Sequence, residues 1–135
     1  MRIALVASRF NEKVVDKMLD RAVSRAKEAG VDVAEIIRVP GTFEIPLAVQ
    51  RVLARTDIDG AVALGAVIKG ETSHDRLIAN AAAAALLDVS LRTGKPVGLG
   101  ITGPDMTYRQ ALARIDSAMR AVDAVVAMHR LSSAP

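Results

Sequence analysis

Residues 60–75 read GAVALGAVIKGETSHD and combine an apolar run, a glycine turn and a polar segment that can start a helix. The apolar run over residues 60–65 predicts a buried strand. Residues 76–92 predict a helix, for which Thr72 or Ser73 is the expected N-cap. The loop therefore connects the end of a strand to the N-terminus of a helix.

The loop is suited to bind an anion, and this is where we expect chemistry. Free N–H groups and the positive end of the helix dipole favour a phosphate or a carboxylate there, with the Thr72 and Ser73 hydroxyls as further donors. We expect His74 within one turn of the anion. The glycine spacing is that of a P-loop, but Glu71 stands where that motif requires lysine and would repel a triphosphate. Taken alone, the segment fits equally well a turn whose glycines and hydroxyls serve capping only.

Four strand-then-helix units follow one another without a linker or an obvious repeat. The predicted strands cover residues 3–8, 31–39, 60–65 and 97–102. The predicted helices run from the cap Asn11 to Gly30, from Thr42 or Phe43 to Arg55, from Thr72 to Arg92 and from the cap Thr107 to about His129. This alternation predicts one α/β domain with a four-stranded parallel sheet flanked by helices on both faces, a flavodoxin-like three-layer sandwich.

The composition excludes several classes of site and location. The 135 residues include no cysteine, which rules out disulfides, cysteine zinc sites, iron–sulfur clusters and thiol nucleophiles. Met1 and Arg2 lead straight into an apolar strand pattern, so we expect no signal peptide. The longest uncharged stretch, residues 77–87, is too short to span a bilayer. We therefore expect a cytoplasmic protein without membrane contact.

The charge and hydropathy patterns indicate which kinds of partner the chain is expected to bind. Basic residues are scattered among carboxylates, and the chain has only two phenylalanines and one tyrosine, so nucleic-acid binding is not expected. The net charge of +3 is suited to attract small anionic substrates. A hydrophobic fraction of 51%, much of it in helices, predicts a homo-oligomer, whereas a monomer rich in alanine is the alternative.

Unusual residues gather where the predicted strands end, which is where open parallel sheets bind ligands. These segments are Ser8–Asn11, Pro40–Glu44, Ala66–Asp75 and Ile101–Pro104. Both phenylalanines, Phe10 and Phe43, fall in such loops although core strands are their usual place. A flat, ring-shaped ligand explains that placement. The alternative is that each ring attaches its own loop to the domain.

Four segments together resemble one enzyme family, 6,7-dimethyl-8-ribityllumazine synthase. Residues 8–11 (SRFN), 39–46 (VPGTFEIP) and 65–75 (GAVIKGETSHD) resemble three of its signature segments, and residues 100–107 (GITGPDMT) with Gln110, Arg114 and Arg120 look like its archaeal branch. The resemblance covers residues 1–135 as a single domain. It implies condensation of 5-amino-6-(D-ribitylamino)uracil with 3,4-dihydroxy-2-butanone 4-phosphate, the penultimate step of riboflavin synthesis, without a metal or an organic cofactor.

The resemblance also implies roles for individual residues. The residues that match the pyrimidine and ribityl site are Phe10, Asn11, Gly41, Thr42, Phe43, Glu44, Val67, Ile68, Lys69, Leu99 and Arg120. Those that match the phosphate site are Gly70, Glu71, Thr72 and Arg114, the last reaching it from an adjacent subunit. His74 matches the histidine that moves protons, which suits an imidazole of unperturbed pKa about 6.5. The family further implies a homopentamer or a larger assembly, such as a decamer or a sixty-subunit capsid, and riboflavin synthase as a partner.

Other interpretations stay open beside this one. Arg114 and Arg120 are also consistent with exposed helix charges paired with Asp116 or Asp123. A metal site at His74, Glu71 and Asp75 is disfavoured because no second histidine lies nearby. A carrier of flavin-like or pterin-like ligands, and the related archaeal type of riboflavin synthase, are the alternative functions.

Three positions depart from the family pattern. The chain begins almost at its first strand, so a capsid is less expected than a pentamer. Leu99 lies near a position where many relatives supply an aromatic residue across the subunit interface. Asp105 occupies a turn position that is glycine in similar archaeal sequences, and a carboxylate close to the phosphate is expected to weaken its binding.

Overall fold

The computed structural model describes residues 1–132 and contains one four-stranded parallel sheet. The strands are β1 (Arg2–Ser8), β2 (Asp32–Val39), β3 (Gly60–Ala66) and β4 (Val97–Thr102). The helices are α1 (Glu12–Glu28), α2 (Ile45–Leu53), α3 (His74–Thr93), α4 (Tyr108–Leu112) and α5 (Ser117–Ser132), and a single 3-10 turn, Thr42–Glu44, precedes α2. The predicted fold class is confirmed.

The strand order β2-β1-β3-β4 places β1 and β3 at the centre of the sheet. Every residue of β3 is buried, as are Ile3 to Ser8 of β1, because helices cover both faces. Leu5 and Leu64 point toward a core formed with α1 and α5, while Val6 and Ala63 point toward a core formed with α2 and α3. The alternating sides of two central strands therefore build the two cores.

Helix ends follow the predicted chemistry at two positions, Gly30 and Thr107, and depart from it at Asn11. Gly30 has φ 71 and follows α1 in the left-handed conformation that glycine adopts without strain. Thr107 accepts a hydrogen bond from the backbone N–H of Gln110, whose side chain accepts the N–H of Thr107, and this forms a complete capping box. The cap predicted at Asn11 is wrong in its chemistry, since that side chain makes no capping bond.

The predicted helix from Thr107 to His129 is wrong as one continuous element. A turn over residues 113–116 separates α4 from α5, and its backbone bonds run from the N–H of Arg114 to the carbonyl of Ala111 and from the N–H of Ser117 to the carbonyl of Arg114. No glycine or proline marks this break. The apolar spacing of Ala111, Ile115 and Ala118 is also that of a single helix, so the pattern gives no sign of it.

The last helix packs on the sheet at very short range. A Cβ added at Gly98 would lie 2.4 Å from the carbonyl oxygen of Ala121 and 2.9 Å from Cγ2 of Val125. Glycine at this position lets the backbone of α5 approach β4 without a spacer side chain. No helix formed by residues 1–132 has the length and hydropathy needed to cross a bilayer.

Replacing Gly98 with alanine should therefore destabilise the fold. The added methyl must displace the backbone of α5, and overpacking of this kind costs about 1–3 kcal/mol. Gly70→Ala is the matched control, because its added methyl meets nothing within 4 Å. We expect the urea midpoint to fall for Gly98→Ala and to stay near the wild-type value for Gly70→Ala. Equal midpoints for the two variants would contradict the close approach.

Candidate active site

A cavity of about 620 Å³ opens at the carboxyl ends of β1, β2 and β3. The chain crosses from β1 to β2 on one side of the sheet and returns to β3 on the other, so the strand order reverses beside β1. Its lining residues are Phe10, Asn11, Gly41, Thr42, Phe43, Glu44, Ala66, Val67, Ile68, Gly70, Thr72, His74, Asp75 and Ile78. Three of the four segments predicted to share one ligand edge therefore line this cavity, whereas the fourth, residues 101–104 after β4, does not.

The two phenylalanines form the exposed rim of this cavity. Phe10 is 72% exposed and Phe43 is 62% exposed, although large aromatic side chains are normally buried. A ring that only attached its own loop to the domain would lose more of its surface than this. The geometry therefore favours the ligand interpretation, in which the flat faces are available for stacking.

Asn11 joins the first loop to the end of the central strand. It has φ 58, in the left-handed region, and its side-chain amide donates to the carbonyl oxygen of Ala66 at 2.8 Å. This contact spans 55 residues of sequence and fixes the loop that carries Phe10. Local sequence rules assign Asn11 to a helix cap, and only the fold supplies its partner across the sheet.

The 3-10 turn brings polar groups close to the floor of the cavity. Thr42 is buried, and its Oγ1 would lie 2.7 Å from a Cβ added at Gly65. Ser8 Oγ lies 3.5 Å from the same point and has no hydrogen-bond partner in the described structure. Glu44 folds back over the loop, with Oε1 at 3.1 Å from where a Cβ of Gly41 would lie. Glycines at 41 and 65 thus make room for polar side chains.

The start of α3 differs from the predicted free anion site. Thr72 Oγ1 accepts the backbone N–H of His74 at 3.3 Å, and Ser73 at the N-cap position makes no side-chain capping bond. The Asp75 carboxylate accepts the N–H of Asp105 at 2.9 Å. That amide, followed by those of Arg76 and Asp75 itself, lowers the pKa of Asp75 below its ordinary value of 3.8. The helix dipole therefore already faces a carboxylate of its own chain.

Three predicted site residues lie away from this cavity. Leu99 is on β4 and 53% exposed, Arg114 lies in the turn between α4 and α5, and Arg120 is exposed on α5. The carboxylates suggested as partners of these arginines are occupied, since Asp116 binds Arg21 and Asp123 binds Arg25. Within residues 1–132, neither Arg114 nor Arg120 forms an ion pair.

Lys69 and Glu71 are exposed beside the cavity rather than among its lining residues. The backbone N–H of Lys69 donates to the carbonyl of Met106 at 2.7 Å. Sequence reasoning placed Ala66 and Asp75 at the ligand edge without giving either a role in substrate binding, and it missed Ile78 as a lining residue. Ile78 lies one turn along α3, where the sequence predicts only a helix position. Among residues 1–132, no group of three His, Cys, Asp or Glu side chains is placed to hold a metal ion.

Asn11 provides a test of the geometry at the cavity. Asn11→Ala loses the bond to Ala66 and places a Cβ-bearing residue without local hydrogen bonding at φ 58, so we expect a loss of about 1–3 kcal/mol of unfolding free energy. Asn11→Gly loses the same bond, but glycine adopts this backbone conformation without strain. Its unfolding free energy should therefore be about 1 kcal/mol higher than that of Asn11→Ala. Urea unfolding of both variants measures the two effects separately, and identical losses would show that the left-handed conformation carries no cost.

Comparison with known proteins identifies close relatives. A family model described as 6,7-dimethyl-8-ribityllumazine synthase matches residues 1–133. Curated proteins of that name are similar over nearly the whole chain. The protein of Staphylothermus marinus is 52% identical over 94% of this chain and 85% of its own length, and that of Metallosphaera sedula is 50% identical over 96% and 87%. The protein of Methanopyrus kandleri is 48% identical over 96% of this chain and 92% of its own length.

Proposed function

The chain belongs to the 6,7-dimethyl-8-ribityllumazine synthase family, and from this premise we propose how its cavity serves the reaction. The protein is a transferase of riboflavin biosynthesis. It condenses 5-amino-6-(D-ribitylamino)uracil with 3,4-dihydroxy-2-butanone 4-phosphate and releases phosphate and water. The observation that carries the residue assignments is the convergence of Phe10, Phe43 and His74 on one cavity at the point where the strand order reverses.

The pyrimidine is proposed to bind between the loops that follow β1 and β2. Phe10 offers an exposed ring for stacking. Val67 and Ile68 line the cavity, and their backbone groups are proposed to hydrogen-bond the uracil edge. Asn11, Gly41, Thr42 and Phe43 surround the ring and the start of the ribityl chain. An ionised carboxylate accepts hydrogen bonds and donates none, so Glu44 is suited to accept hydrogen bonds from the ribityl hydroxyl groups.

The phosphate is proposed to bind at residues 70–72, just before α3. Gly70 and Thr72 line the cavity. The space beside Gly70 is open, and the lack of a side chain there lets an anion approach the backbone closely. Glu71 is proposed to contribute through its backbone N–H, because its carboxylate would repel a phosphate. Arg114 of an adjacent subunit is proposed to complete the site, because a guanidinium binds phosphate through two parallel hydrogen bonds.

His74 is proposed as the proton-transfer group. The substrate amine attacks the ketone and loses water to form an imine, phosphate leaves with its bonding electrons, and the second ring closes with loss of water. Each step moves a proton between nitrogen, carbon or oxygen. An imidazole at the cavity wall can accept and return protons near neutral pH, a contribution of about 10²–10⁴ in rate.

The active form is proposed to be a homo-oligomer whose sites lie between subunits. Leu99, Arg114 and Arg120 are away from the cavity of their own chain and, in this proposal, act at the cavity of a neighbour. Helix α3 carries exposed Leu77, Leu87 and Leu91 in addition to its buried face. A helix apolar on several sides needs a partner beyond its own core. A cytoplasmic location and an association with riboflavin synthase remain part of this proposal.

Mixing two inactive variants tests the function and the shared site together. His74→Ala and Arg114→Ala should each lose most lumazine formation, followed by absorbance together with phosphate release. When the two are unfolded, mixed equally and refolded, half of the subunits keep His74 and half of their neighbours keep Arg114. About a quarter of the sites are then intact, and activity should return to roughly that fraction of wild type. No recovery would place Arg114 at the site of its own chain.

If the wild-type protein itself forms no lumazine, two further measurements distinguish the alternative functions. Binding of the pyrimidine without release of phosphate would identify a ligand carrier. Consumption of lumazine would identify the related riboflavin synthase type. Either result would overturn the proposed reaction regardless of how the variants behave.

The exposed leucines of α3 test the assembly. A groove of about 370 Å³ lies between α3 and β4, and Leu87 and Leu99 line it. Leu87→Glu leaves the monomer core intact because Leu87 is 63% exposed, but a carboxylate in a subunit contact is costly. We expect light scattering after gel filtration to report smaller species with lost activity. Val23→Glu on α1, at the opposite face of the sheet, should leave the assembly unchanged. An unchanged oligomer for Leu87→Glu would remove this groove from the interface.

A further inference from the structure

Asp75 is the only ionisable side chain buried among residues 1–132. It is 5% exposed, lies in the first turn of α3 and contributes to the cavity wall directly after His74. A buried carboxylate requires hydrogen-bond donors, and Asp75 finds its donor in the backbone N–H of Asp105, 30 residues further along the chain. The proposed reaction assigns this group no direct step.

The residue that Asp75 holds belongs to a turn, residues 103–106, which we call the support turn. Its Gly103 has φ 110, and a Cβ at that position would lie 2.5 Å from the carbonyl oxygen of Val67. Asp105 has φ 64, a conformation that residues other than glycine seldom adopt. Backbone in such conformations persists only where surrounding contacts hold it.

The support turn contacts the loop that carries the proposed phosphate site. The N–H of Lys69 donates to the carbonyl of Met106 at 2.7 Å, and the N–H of Val67 donates to the carbonyl of Thr102 at 2.8 Å. The first bond is made by the last residue of the support turn and the second by the residue just before the turn, and both involve residues that shortly precede Gly70. Movement of the support turn would therefore move the backbone that leads into residues 70–72.

A second contact, an ion pair between exposed side chains, also joins the support turn to α3. Arg76 Nε lies 3.0 Å from Oδ1 of Asp105, and both side chains are about half exposed. Exposed pairs of this kind contribute little, whereas a partly buried charge-assisted bond contributes more. The bond from the Asp105 amide to Asp75 is therefore the stronger of the two attachments.

We propose that Asp75 is a positioning residue for the phosphate substrate: by binding the Asp105 amide it holds the support turn against residues 67–69 and so fixes the backbone of residues 70–72. This inference rests on the proposed function, since it assigns Asp75 to the same site. The Asp105 amide lowers the pKa of Asp75, and the ionised carboxylate is a stronger acceptor than a neutral group. Asp75 touches none of the reacting atoms in this scheme.

Steady-state kinetics of three variants test the proposal. Asp75→Ala removes the acceptor, and we expect the KM for the butanone phosphate to rise about tenfold or more, with the pyrimidine KM within about twofold of wild type. Asp75→Asn keeps an acceptor oxygen without the charge and should give a smaller rise. Asp105→Gly keeps the amide, tolerates the backbone conformation and loses only the exposed pair, so its KM should stay within about twofold.

Asp88→Asn is the matched control, because Asp88 is an exposed carboxylate of the same helix paired with Arg92. It should leave both KM values unchanged. A fall in kcat for Asp75→Ala with an unchanged phosphate-substrate KM would show that Asp75 takes part in the chemistry, and an equal rise of both KM values would show a general structural role. Each of these results would overturn the proposal.

Amide hydrogen exchange gives a readout that does not require activity. Loss of the Asp75 bond should raise exchange in the peptides covering residues 66–73 and 101–107, while peptides of α1 and β1 stay protected. If the wild-type protein makes no lumazine, the proposed function fails, and exchange still decides whether Asp75 holds the loop. Unchanged exchange in both peptides for Asp75→Ala would overturn the proposal.

Discussion

The reversal of strand order between β1 and β3 is the constraint on which the rest of the molecule depends. Two neighbouring parallel strands send their following loops in opposite directions, and a cavity opens between them. Both strands must be buried on each face, because helices cover the sheet above and below. The short side chains of β3 and glycines such as Gly98 allow those helices to approach closely. The site is thus a consequence of how the sheet is wound.

Sequence patterns predicted most of the architecture because the signals concerned are local. An apolar run ended by glycine, a threonine followed three residues later by glutamine, and a glycine after a helix each depend on neighbours within a few residues. The strands therefore fell close to their predicted positions. The break between α4 and α5 has no such local signal, since the apolar spacing continues through residues 113–116.

The residues of the candidate site also separate into those with a local sequence signal and those without one. Phe10, Phe43 and His74 were predictable because the carboxyl ends of parallel strands meet at one edge, whatever the detailed packing. The bond from Asn11 to Ala66 and the bond from the Asp105 amide to Asp75 join residues 55 and 30 positions apart. No periodicity or motif predicts such partners. Long-range polar contacts of this kind become visible only when the fold brings the two segments together, and here they join the loops that carry the cavity rim and the proposed phosphate site.

Asp105 shows how such contacts change the meaning of a single substitution. A carboxylate near a phosphate site is expected to repel the ligand, and the family resemblance implies glycine at this position. In the folded chain its side chain pairs with Arg76, and it is absent from the residues that line the cavity. Its negative charge is therefore neutralised beside a cation rather than directed at the cavity. In the role proposed for Asp75, this position has to supply only the backbone N–H that Asp75 accepts, and aspartate and glycine both supply one. On that proposal the substitution does not disturb the phosphate site, because the interaction belongs to the main chain.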